Sequence, residues 1–349
     1  MKSKTEIQTK SKATEILKYA FKLGLGAVLI YYVLHSKMVD FTLVKSALAN
    51  PVNLVVSLFF LALSVFCCAA RWHLLVKKQE LNLSFKDLLE LTMIGNFFNT
   101  FMPGSVGGDL IKAWYVAGQE PKRKTKAIFT VLLDRAIGLS VIVFYAALTL
   151  VFFTGWLKGH HELKVVALSI WGFTTASVLF AVLFFLPQTW DWAVSHKLLA
   201  LLRRSAKMEK VVEAALLYRR YLGTISLAVV LSAISILGTN LLYSIQGKAL
   251  GIETDLAHYF FVVPVALTVS AIPVLPGGLG VGQIAFYSLF KWTGHPNPEQ
   301  GATLATLLQV YTILFNCFGA IFYLKFKRSP KETSNEKGLP TSHAFNGQA

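Results

Sequence analysis

Cysteine is nearly missing from this chain: among 349 residues only Cys67, Cys68 and Cys317 are present. Two are adjacent and the third is remote, so neither a disulfide framework nor a metal-ligand spacing exists. All three read as small residues packed inside apolar helices. Charge is also sparse, at 15% of residues against 54% hydrophobic, with a mean hydropathy of +0.55. That balance excludes an ordinary soluble domain. Acidic residues are the scarcer sign, 18 against 34 Lys and Arg, for a net charge of +16. In a soluble protein such an excess would point to nucleic acid. Here the basic residues cluster between apolar runs, where they set orientation and attract anionic headgroups, so no nucleic-acid partner is expected. A catalytic constellation is lacking too. His160 and His161 beside Glu162 read as a solvated turn, because no further ligand cluster accompanies them. No enzyme activity, metal or cofactor is expected.

What the chain does have is long apolar runs, at about 17–35, 52–71, 127–154, 164–186, 222–246 and 302–325. Each approaches the ~20 residues that cross a ~30 Å hydrocarbon core. The first follows a lysine-rich start, but the only Ala-x-Ala-like site, at 47–49, lies too far beyond it for ordinary signal cleavage, so a retained helix is expected. Basic residues mark the inner side. They comprise the N-terminal lysines, Arg71 with Lys77, Lys78 and Lys86, the group Lys122, Arg123, Lys124 and Lys126, the stretch 187–221, and the tail after the last run. Within that stretch, 196–221 reads as an amphipathic helix on the anionic inner leaflet. Both termini are expected in the cytoplasm, in an inner, multi-pass membrane protein.

Between these runs lie two segments that should not span. The segment 87–118 starts and ends on the basic side, and each leg of about sixteen residues makes roughly 24 Å of helix, short of the hydrocarbon core. Its tip, in "NTFMPGSVGGDLIKAW" at 99–114, is rich in helix breakers. A second segment, 259–294, carries the related "PGGLGVGQ" and lies between two weakly charged outer loops. Pro103 and Pro276 are 173 residues apart, as are Gly104 and Gly277, and Gly107 and Gly280. The expected fold is therefore an all-α polytopic membrane protein, with about six spanning helices and two oppositely oriented re-entrant hairpins in an inverted repeat. The first repeat would occupy 1–163 and the second 164–327, with a polar cytoplasmic tail at 328–349. In transporters such repeats place broken helices and a substrate site near the midplane. The plainer alternative is that both Pro-Gly motifs are interhelical turns.

Few ionisable residues fall within the expected core. Asp134 and Arg135 lie about seven residues into the third run, roughly 10 Å deep, where they should face protein or water. Asp109 and Lys112 are three apart, on one helix face, and able to pair. One reading makes Arg135 and Lys112 ligands for a lipid phosphate, with Asp109 or Asp134 as counter-charge or proton carrier; the other makes all four structural ion pairs. Asn99 opens the first tip. Gly104, Gly107 and Gly108 permit tight turns whose free amides could meet a phosphate at a helix N-terminus. Gly277, Gly278 and Gly280 with Gln283 offer the same amides without any charge.

Four stretches, "ARWHLL" at 70–75, "GNFFNTFMPGSVGGDLIKAW" at 95–114, "LDRAIGL" at 133–139 and "PGGLGVGQ" at 276–283, together resemble the flippase-like transmembrane family of the lysylphosphatidylglycerol synthases. The likeness runs over nearly the whole chain. It implies a lipid-handling membrane domain, which in the full synthases moves an aminoacylated phospholipid between leaflets. Many relatives have an acidic residue where this chain has Gln283, which speaks against a shared proton-coupled mechanism. After Lys327 only a polar tail is seen, so synthesis of a modified lipid is expected of a separate enzyme. The expected function is a translocase for a polar-headgroup phospholipid, anionic or modified, with membrane phospholipids as partners. The alternatives are an accessory or enzymatic protein acting on a glycolipid or polyprenyl phosphate, or a small-solute channel.

Overall fold

Asn50 ends one helix and starts the next. Its backbone N–H returns to Ala47, while its side chain accepts from the Val52 amide, with Pro51 in the first helical position where no amide is needed. It separates α1 (Phe41–Ala49), capped by Asp40, from the long α2 (Pro51–Lys78). In a computed structural model of the chain, residues 39–102, 107–157, 159–185, 206–271 and 280–325 are described. The expected first run at 17–35 and most of both hairpin tips lie outside them. Every regular element among the described residues is a helix.

After α2 come α3 (Phe85–Phe101) and α4 (Gly107–Gln119), a 3₁₀ turn at Pro121–Arg123, α5 (Lys124–Phe152) and α6 (His161–Phe185). Next are α7 (Ala206–Leu217), α8 (Leu222–Ala249), α9 (Leu256–Ser270), α10 (Val281–Trp292) and α11 (Glu299–Lys325). Among the described residues five helices are long and apolar enough to cross a membrane, namely α2, α5 with its leading 3₁₀ turn, α6, α8 and α11. The protein is a multi-pass membrane protein. Helix α3 starts at a capping box: Ser84 accepts from the Asp87 amide while the Asp87 carboxylate accepts from the Ser84 amide, each at 3.1 Å.

A long helix, two short ones and a long helix occur twice, and their packing recurs as well. α2 packs on α8 more extensively than any other pair. α3 lies against α11 as α9 lies against α5; α4 meets α5 as α10 meets α11; α2 touches α3, α5 and α11 as α8 touches α9, α11 and α5. α2 and α8 run antiparallel. Gln246 donates to the Asn53 carbonyl and the Ser57 hydroxyl, Ser64 meets Ser235 at 2.7 Å, and Arg71 donates to Ser232.

One expectation changes. α2 continues seven residues past the expected end at Arg71, because Trp72, Leu75 and Val76 are all buried, so Arg71 lies inside a helix and not in a basic loop. The described part of 196–221 is held by protein contacts. Helix α7 packs on α5, Gln79 donates to the Ala214 carbonyl at 2.8 Å, and Tyr218 donates to the Leu75 carbonyl at 2.8 Å. Burial pushes the Tyr218 phenol well above its usual range, so it stays a donor.

Candidate functional site

The first hairpin closes on glycine. A Cβ added to Gly108 would lie 1.8 Å from the Gly95 carbonyl oxygen, so the first turn of α4 rests directly on the α3 backbone. Only a residue without a side chain allows that approach. The Gly108 amide, one of those left open at the start of α4, donates to the Asn99 side chain at 2.8 Å. Asn99 thus joins the two legs below the tip. Gly107 packs closely on the Met102 side chain, where an added Cβ would lie 2.6 Å from Met102 Cβ. Gly104 lies outside the described residues.

Asp109 stands in the first turn of α4, where the helix dipole favours a negative charge. One oxygen lies 3.2 Å from the Arg135 guanidinium in an ion pair, and the other lies 3.9 Å from the Lys112 ammonium. Lys112 is buried. Its stem crosses Gly95, where an added Cβ would come within 2.4 Å of Lys112 Cε, and its ammonium stands 5.4 Å from the centre of the Trp72 ring. The indole N–H of Trp72 in turn donates to the Thr130 hydroxyl at 3.1 Å.

Asp134 and Arg135 are chain neighbours, yet one helical step of about 100° sends them to different partners. Arg135 turns to α4. Asp134 turns to α2, where its carboxylate accepts from Arg71 Nε at 2.6 Å, and a second Arg71 nitrogen donates to the Ser232 hydroxyl on α8 at 2.8 Å. Both members are buried, whereas the Arg135 side chain is 37% exposed. The structure therefore divides the four charges read from the sequence. Asp109, Lys112 and Arg135 form one cluster, and Asp134 belongs to a closed pair beside it. Sequence reasoning missed Arg71 by assigning it to a loop, although the apolar residues continuing to Val76 placed it within the run.

The second hairpin is uncharged at the matching place. Gly280 has φ of +81°, a left-handed conformation suited to glycine, and its amide donates to the Gln283 side chain at 2.8 Å. Gln283 is thereby committed to closing the start of α10. Gly277 and Gly278 lie outside the described residues. Asn316 of α11 donates to Thr100, near the end of α3, at 2.8 Å, a link between the halves with no local signal in the sequence. An apolar groove of about 450 Å³ runs between α2, α3 and α11, lined by Phe59, Leu63, Phe66, Leu89, Met93 and Phe315.

The family described as lysylphosphatidylglycerol synthase TM region matches residues 19–319. Among curated proteins, UPF0104 membrane protein PH1989 of Pyrococcus horikoshii is 22% identical over 299 residues, 77% of this chain and 86% of that protein. UPF0104 membrane protein MJ1595 of Methanocaldococcus jannaschii is 25% identical over 146 residues, 42% of this chain and 41% of that protein. No solved structure matches the chain.

Proposed function

This chain belongs to the lysylphosphatidylglycerol synthase TM region family, and from that premise we propose that it is a translocase that carries a polar-headgroup phospholipid between leaflets. The observation that carries the reading is the Asp109, Lys112 and Arg135 cluster at the N-terminus of a helix too short to span. At 13 residues, α4 is roughly 20 Å long, so its start lies well inside a ~30 Å core when its end is at the basic surface. Arg135 is eleven residues along α5 from Lys124, about 16 Å by helical rise, at a comparable depth. A helix N-terminus, a guanidinium and an ammonium at one depth are the chemistry that a phosphate needs to leave water.

In this reading the recurring helix order is an inverted repeat, with α3 and α4 entering from the cytoplasmic side and α9 and α10 from the outside. The antiparallel pairing of α2 with α8 and the reciprocal packing of the other helices support it. Alternating access then follows from exchange of the two halves' conformations. The groove beside α3 offers apolar surface for an alkyl chain. The protein acts as a carrier in the inner membrane, with both termini inside. The test is reconstitution in vesicles with a labelled phospholipid. Wild type should move it between leaflets, and Arg135→Gln and Gly280→Leu should each block transfer. Transfer at the protein-free rate by the wild type would end the translocase reading.

A further inference from the structure

We infer that Trp72 and Gly95 are positioning residues for Lys112: together they hold its ammonium near the start of α4 and leave its N–H donors for a phosphate oxygen instead of a protein carboxylate. The inference rests on the translocase reading for the site and adds how one ligand of that site is held. Lys112 and Asp109 are three apart on one face of α4, a spacing that ordinarily lets an ammonium close on a carboxylate at about 2.8 Å. Here they stand 3.9 Å apart, beyond hydrogen-bond reach, although the Lys112 side chain is only 10% exposed and little water competes. Another neighbour therefore sets where the ammonium goes.

That neighbour is an aromatic face. The ammonium stands 5.4 Å from the centre of the Trp72 ring, within range of a cation–π attraction, which is strongest for indole and grows as water is excluded. Trp72 is 1% exposed. Its ring is fixed in turn: the indole N–H donates to the Thr130 hydroxyl at 3.1 Å, and that hydroxyl donates to the Ala127 carbonyl at 2.8 Å. A π face attracts the charge without taking up an N–H in a directed hydrogen bond, so the ammonium is held yet keeps its donors. Gly95 supplies the path for the stem. An added Cβ there would lie 2.4 Å from Lys112 Cε, 3.1 Å from Cγ and 3.2 Å from Cδ, so even alanine would push the side chain aside. An ammonium bonded to Asp109 would have to give up that bond to take a phosphate oxygen. One held beside indole is already organised for it.

Double-mutant coupling is the readout, because a purely structural role for Trp72 or Gly95 would lower stability without depending on Lys112. The full chain in detergent is titrated with short-chain phosphatidylglycerol, glycerol 3-phosphate and inorganic phosphate, with the thermal midpoint followed. Trp72→Leu and Gly95→Ala should each raise the half-saturating concentration of phosphatidylglycerol by about tenfold or more, and Trp72→Phe, which keeps a π face, by less than about threefold. In a Lys112→Met background, itself weakened, neither Trp72→Leu nor Gly95→Ala should weaken binding further. Gly95→Ala carries the test alone if Trp72→Leu does not fold. Losses that add to that of Lys112→Met, or wild-type affinity in the folded variants, overturn the inference, as does a wild type whose midpoint none of the three ligands moves. Saturation by either water-soluble phosphate as readily as by lipid, with the coupling intact, supports the positioning of Lys112 and overturns the lipid as its ligand. Transfer in vesicles is scored separately, so a protein that shows the coupling but moves no lipid refutes the translocase reading alone.

Discussion

Ser64 of α2 and Ser235 of α8 meet hydroxyl to hydroxyl at 2.7 Å, and the 171 residues between them equal the offset between the starts of α2 and α8 and between those of α3 and α9. Matching positions touching each other is what a two-fold relation between the halves requires, as at any isologous contact. With Cys67, Cys68 and Cys317 replaced, the pair Ser64→Cys and Ser235→Cys should form a disulfide under mild oxidation in the bilayer-inserted protein, seen as altered gel mobility. Ser57→Cys with Ser235→Cys, two helical turns or about 10 Å further along, should not. A link in the second pair and none in the first would contradict the crossing.

The Arg71 and Asp134 pair should dominate stability. Both are buried, so Arg71→Met leaves a carboxylate without its partner and should cost about 3 to 5 kcal/mol. Replacing both, as Arg71→Met with Asp134→Leu, should recover most of that loss. Denaturant unfolding of the two variants in detergent checks it, and equal stability of single and double variants would count against a closed pair.

Arg135 should behave in the opposite way. More than a third of its side chain is exposed, and without it Asp109 keeps Lys112 at 3.9 Å, so Arg135→Gln should cost under about 1 kcal/mol. The same variant should lose phospholipid transfer at least tenfold. A stable Arg135→Gln protein with wild-type transfer would remove Arg135 from the headgroup site.

Gly108 and Gly118, ten residues apart in α4, should respond oppositely to alanine. At Gly108 the new Cβ would meet the Gly95 backbone at 1.8 Å, an overlap that backbone movement must relieve at a cost of about 3 kcal/mol or more. At Gly118 nothing lies within 4 Å, so alanine should be neutral or stabilise by up to about 1 kcal/mol. The comparison of melting temperatures tests whether the two legs are in backbone contact.

Much of the architecture was legible because its signals are local. The spans α5, α6, α8 and α11 fall within a few residues of the apolar runs that foretold them, and the break between α3 and α4 falls at the Pro-Gly stretch. Length, hydropathy and helix breakers act on consecutive residues and need no knowledge of neighbours. Asp109 and Lys112 could be placed together for the same reason, being three apart on one helix.

Partnership across helices was not legible. In a spanning helix the lipid-facing and protein-facing sides are both apolar, so no polar stripe marks which side meets a neighbour. Leu227 and Ala228 of α8 are adjacent and both apolar, yet one is exposed and the other fully buried. The sequence by itself determined that the chain crosses the membrane repeatedly, carries two glycine-rich breaks and concentrates its intramembrane charge in the first half. Only the tertiary structure decided that Arg71 takes Asp134 while Asp109 takes Arg135, because that choice depends on the faces α2 and α4 turn toward α5. The Ser64 and Ser235 contact was decided there too: two hydroxyls 171 residues apart meet only once the helices cross.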